Sequence, residues 1–100
     1  MIIIEITSIN NEIVSIEMNG HSGYAESGKD IVCASVSSIV ITTVNAIIRI
    51  NNDAIEYRQD DDLVITIKLH DMVTDLLIEN MLELLTELEK QYKKNIKINI

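Results

Sequence analysis

The chain has 100 residues, 47% of them hydrophobic, a formal net charge of −8, and three tyrosines as its only aromatics. That length and apolar fraction predict one small domain, residues 1–100, around an aliphatic core. The acidity argues against direct nucleic acid binding, because the field repels phosphate; it suits a basic protein partner or simply a soluble surface.

Residues 2–8 alternate, with Ile2, Ile4 and Ile6 on one face and Ile3, Glu5 and Thr7 on the other. That period predicts a strand. Asn10-Asn11 supplies turn residues that tolerate left-handed backbone. Alternation resumes over 12–19, with Val14, Ile16 and Met18 on the expected inner face. The two runs read as a β-hairpin.

Residues 20–29 have no period, and all three glycines of the chain, Gly20, Gly23 and Gly28, fall in them. A long glycine-rich loop in a compact domain points to function. Asp30 then serves as N-cap of a helix whose apolar positions Val32, Val36, Ile39, Val40, Thr43 and Ile47 recur at helical spacing. Its β-branched residues favour strand by propensity. A strand of about twenty residues would far exceed the usual ~5–6, so length decides for helix. Asn51-Asn52 ends it.

Residues 54–59 and 63–69 flank Asp60-Asp61-Asp62 and predict a second hairpin with an acidic turn. Asp71 or Thr74 caps a second helix with the stripe Val73, Leu77, Met81, Leu84, Leu88 and Tyr92. Lys93 and Lys94 are expected in its last turn and Asn95 at its C-terminal cap. Ile96, Ile98 and Ile100 alternate in a final strand. The order ββαββαβ predicts an α/β fold of the α+β type. Its form is a two-layer sandwich, a five-stranded mixed sheet with both helices on one face. Ile3 and Val64 mark the other face, exposed or covered in a dimer. No apolar stretch is expected to reach the ~20 residues of a membrane span. The N-terminus lacks the basic and long apolar regions of a secretory signal. A cytoplasmic protein without a membrane partner is the expectation.

The chemistry concentrates at Gly20 to Ser37. Cys33, the only cysteine, is the third residue of the helix if Asp30 is the cap. A thiol there lies near free N–H groups and the positive end of the dipole, which favour the reactive thiolate. The same N–H groups are positioned to hold an oxyanion. His21 opens the loop and can fold back to exchange a proton with the sulfur. The plain alternative for Cys33 is a small buried core residue, and for His21 a loop histidine at a strand end. Asp30 is fully explained as a cap, with orientation of His21 as a second role. Ser37 lies one turn after Cys33 on the same face, to support the site or bond back to its own helix. His70, beside Asp71, serves a turn or cap. One cysteine and two distant histidines do not make a zinc site, and no cofactor is called for.

Gly20-His21, followed by Gly28-x-Asp30-Ile31-Val32-Cys33-Ala34 and Ser37, closely resembles the signature of the ribosomal-processing cysteine protease family, Prp. The likeness continues through Val44-Asn45-Ala46-Ile47 and the whole element order. It implies a cytoplasmic, commonly homodimeric cysteine endopeptidase. Such enzymes remove a short N-terminal extension from large ribosomal subunit protein twenty-seven, a basic substrate, cutting after an aromatic residue. It puts the nucleophile on Cys33, the general base and acid on His21, and substrate contacts on the loop of Gly20, Ser22, Gly23 and Gly28. Ser22 stands where alanine is frequent in the family, and Ser27 where a larger residue is common. The rival function is a non-catalytic peptide-binding or ribosome-assembly module that clamps its partner with the same loop.

Overall fold

The computed structural model describes residues 1–20, 23, 25 and 30–100. The elements are β1 (Ile2–Ile9), β2 (Glu12–Asn19), α1 (Ile31–Ile50), β3 (Ile55–Gln59), β4 (Leu63–Ile67), α2 (Met72–Gln91) and β5 (Ile96–Asn99). This is the expected order and class. The strands form one mixed sheet in the order β3-β4-β2-β1-β5, with β5 parallel to β1 and every other pair antiparallel.

Chain direction explains why both helices share a face. By the pairings, β2 and β3 run one way, and β4 and β5 run the other. The β2-α1-β3 crossover skips one strand toward one edge; β4-α2-β5 skips two toward the opposite edge. Reversing both the strand direction and the sense of travel is a rotation about the sheet normal. Two right-handed crossovers so related lay their helices on the same side. There α1 packs against α2, beside β3 and β5 respectively.

The core between the layers is aliphatic. Ile4, Ile16, Ile47, Ile65, Met81, Leu85 and Ile96 are its largest fully buried side chains. In the first hairpin Asn10 and Asn11 take φ of 53° and 66°, the left-handed pair that a two-residue turn between right-twisted strands requires. The inner face of β2 differs from simple alternation. Thr7 pairs with Ser15, but Ser8 pairs with Ile13, which leaves Val14 as the extra residue of a bulge. The slip turns Ile13, and not Val14, toward the core.

Helix α1 corrects the expectation about apolar length. Ile31–Ile50 is long and apolar enough to cross a membrane by length and composition. Its packing is that of a core helix. Val32, Val36, Val40, Thr43, Val44 and Ile47 are buried, while Ser37, Ser38, Thr42 and Asn45 face solvent. In α2 the buried stripe is Thr74, Ile78, Met81 and Leu85. The expected Val73 and Leu84 are 45% and 46% exposed, so the helix is turned by about one residue from its most apolar arc. The helix packs on both α1 and β5, and beside β5 Glu89 Oε2 accepts the Ile98 N–H at 2.7 Å. This bond also occupies an N–H of an edge strand. The helix ends earlier than expected. Tyr92, not Asn95, is its C-cap, and Lys90 is its last-turn cation. Lys93 and Lys94 follow in the turn to β5.

The sheet's outer face is mostly polar. Glu5 faces Glu17 across β1 and β2, and Arg58 sits opposite Val64. Ile3 and Val64 are half-buried on that face.

Candidate active site

One end of the sheet gathers the residues of interest. The register brings Ile3 against Asn19, Met18 against Leu63, and Gln59 against Leu63. At this end β2 finishes, β4 begins, and α1 starts above them.

The start of α1 is built on Asp30, whose backbone is extended at φ −84°, ψ 96°. Its Oδ1 accepts the Val32 N–H at 3.0 Å and the Cys33 N–H at 2.9 Å, and its carbonyl accepts the Ala34 N–H at 3.1 Å. The cap predicted from sequence is therefore present, and it satisfies donors that a helix start would otherwise leave open. This corrects one expectation. The Val32 and Cys33 N–H groups are held by a carboxylate and do not stand open for an oxyanion. The Asp30 charge also offsets the positive end of the α1 dipole.

Cys33 is half-buried. It lines a cleft of about 270 Å³ with Gly20, Met18 and Asn19 from the end of β2 and with Val36, Ser37 and Val40 from α1. Leu63, Gln59 and Asp61 close it from the β3–β4 side. The thiol is thus not sealed in the core. Ser37 is exposed at the cleft, one turn beyond Cys33, with no side-chain hydrogen bond among the described residues. Hydroxyls that do bond back into this helix are Ser35 Oγ, to the Ile31 carbonyl at 2.7 Å, and Thr43 Oγ1, to the Ile39 carbonyl at 2.9 Å.

Gly20 is needed where it stands. Its φ is +85°, and a Cβ there would run into the Met1 carbonyl oxygen. Gly23 also has positive φ, +70°, but open space around it. His21, Ser22 and Gly28 lie outside the described residues, so the expected Cys33–His21 pairing does too.

His70 lies at the other end of the sheet, where Nδ1 is 3.2 Å from Asp75 Oδ1 and 3.3 Å from Glu12 Oε2. It ties the first hairpin turn to the start of α2. The Asp75 partner is local, whereas the Glu12 contact needed the fold to be seen. Among the described residues no group of three His, Cys, Asp or Glu side chains is arranged to hold a metal ion. The wall from Gln59, Asp61 and Leu63 escaped sequence reasoning. Its only signal was the run of aspartates, which reads locally as a turn.

Cys33, half-buried in the first turn of a capped helix, thus faces a cleft that Gly20 also lines. The sequence pattern described as Cysteine protease Prp matches residues 1–97. The chain belongs to the Prp family. It is similar to the ribosomal processing cysteine protease Prp of Staphylococcus aureus, 31% identical over 99% of this chain and 98% of that one. It is 34% identical to the protein of the same name from Bacillus subtilis, over 86% of this chain and 84% of that one. Its fold matches the crystal structure of S. aureus Prp in complex with a covalently linked product peptide. There the TM-score is 0.91 and the identity 31%, over 99% of this chain and 98% of that one. The molecule is therefore a cysteine protease of a ribosomal-processing family, with the α+β sandwich that its Prp relatives share.

Proposed function

We propose that the enzyme removes an N-terminal extension from large ribosomal subunit protein twenty-seven, with Cys33 as nucleophile and His21 as general base and acid. The observation that carries this reading is the cleft that Cys33 shares with Gly20. Covalent geometry keeps the Cα of His21 about 3.8 Å from that of Gly20. That adjacency in the chain is what supports the pairing of His21 with Cys33.

His21 takes the thiol proton as Sγ bonds to the scissile carbonyl carbon. The tetrahedral oxyanion collapses, the C–N bond breaks, and His21 returns the proton to the leaving amine. Water, deprotonated by the same imidazole, then hydrolyses the thioester and frees the thiol. Asp30 already engages the N–H groups of Val32 and Cys33. Oxyanion stabilisation accordingly falls to other donors, and activation of the thiol falls mainly to His21. The covalent product peptide in the S. aureus relative supports a thiol-bound acyl intermediate here. The net charge of −8 would speed the approach of a basic ribosomal substrate at low salt.

The test is incubation of the purified protein with the extended ribosomal protein, read by mass spectrometry. Loss of a short N-terminal fragment is expected from wild type and not from Cys33→Ala or His21→Ala. Wild-type processing by either variant overturns the assignment. Action in the cytoplasm as a homodimer, without nucleic acid contact, belongs to the same proposal. Cell fractionation, sedimentation and RNA-binding assays check those three parts.

A further inference from the structure

The cleft beside Cys33 has two chemistries. Its floor is apolar: Val36 and Val40 are buried in the core, and Leu63 is half-buried next to them. Such a floor accepts an apolar side chain and penalises a polar one that finds no partner. Its β3–β4 wall is different. Gln59 pairs with Leu63 across the hairpin, so residues 60–62 form a three-residue turn. Within it the Asp60 N–H donates to the Asp62 carbonyl at 3.0 Å, and the Asp60 carboxylate is paired with Arg58 at 3.5 Å. Asp61 is the member that lines the cleft. It is exposed, and among the described residues no cation pairs with it.

We propose that Asp61 is a specificity-determining residue, which selects a lysine or arginine of the bound peptide next to the apolar side chain that the cleft floor holds. The inference rests on the reading of Cys33 as nucleophile, because only then is this cleft the substrate's path. A cation drawn to Asp61 also gains from the field of an acidic chain, and an acidic residue there meets repulsion from both.

The test is a panel of peptides that share one apolar cleavage segment and carry lysine, alanine or glutamate at each flanking position in turn. At one position or more, kcat/KM is expected to favour lysine over alanine by about two- to fivefold, the scale of a half-exposed ion pair. Glutamate should fall below alanine. Added salt should shrink the difference. In Asp61→Asn the lysine preference should collapse toward one, and in Asp61→Lys it should invert. Asparagine suits the same turn, so folding is not at issue. A wild-type enzyme that cleaves the panel without regard to flanking charge overturns the role of Asp61. So does a preference that survives in Asp61→Asn. Failure of the protease reading looks different: no peptide is cleaved, or Cys33→Ala cleaves like wild type. That result removes both proposals.

Discussion

The two helices begin alike and serve different ends. Each has an aspartate N-cap whose Oδ1 accepts the N–H three residues on, from Cys33 in α1 and from Thr74 in α2. At α2 that third residue is 2% exposed and faces the core. At α1 it is half-buried and faces a cleft. The approaches differ as well. Three residues connect β4 to the Asp71 cap, and the glycine-rich stretch 20–29 precedes Asp30. One capping device therefore serves as an anchor in one place and holds the proposed nucleophile in the other. What separates them is what the third side chain faces and how long a connection precedes the cap.

The sharpest way to break this comparison is to move the thiol. In a Cys33→Ala background, Thr74→Cys places sulfur at the matching position of α2. Cleavage should remain lost, by at least about a thousandfold in kcat/KM. Iodoacetamide should label the transplanted thiol far more slowly than it labels Cys33 in wild type, because reaction there waits on local opening. Equal labelling rates in the folded proteins would mean that the position along a helix, and not the cleft, governs access.

Gly20 is the next largest lever. Gly20→Ala forces a side chain into positive φ and against the Met1 carbonyl. We expect a loss of about 1–3 kcal/mol in urea unfolding, with a fall in cleavage as the strand end shifts. Gly23→Ala meets no neighbour and should cost less, chiefly through its φ.

The caps themselves separate by charge. Asp30→Ala should cost about 1 kcal/mol by loss of the cap, while Asp30→Asn, an equally good cap, should leave the melting temperature nearly unchanged. If Asp30 only caps, Asp30→Asn retains kcat/KM within about threefold. A drop beyond tenfold would give it the added role of orienting His21.

The smallest expected effect is the pH dependence at α2. The Thr74 N–H and then its hydroxyl hold the Asp71 carboxyl below its ordinary value of 3.8, against desolvation and with a smaller contribution from the Val73 N–H. A depressed carboxylate contributes stability that is full above the unfolded value and lost as pH falls through the folded one. Urea midpoints from about pH 5 to pH 2 should show a loss below pH 4 that is reduced in Asp71→Asn.

Local signals along the chain were enough for the strands, the helices and the Asp30 cap, and they left Asp71 as one of two candidates at α2. Alternation and helical period report directly on which side chains share a face, and an aspartate before an apolar run reports on open N–H groups. The motif around Cys33 was legible for the same reason, since its residues are neighbours in the chain. Of the features that were not, three depend on contacts distant in the chain. Val14 was displaced by a bulge that exists only in its pairing with β1. The buried stripe of α2 was settled by its packing on α1 and β5, because a helix with apolar residues over a wide arc has several nearly equal ways to lie.

The remaining feature is the wall of the cleft. Amino-acid order alone determined that a thiol stands in the first turn of a capped helix just after a glycine-rich segment that opens with Gly20-His21. Tertiary structure decided what that thiol faces. Asp61 and Leu63 reach the cleft only because β4 pairs with β2 and carries its turn to the end where α1 begins. Pairing between strands about fifty residues apart is set by the joint burial of both layers, and no local stretch of sequence encodes it.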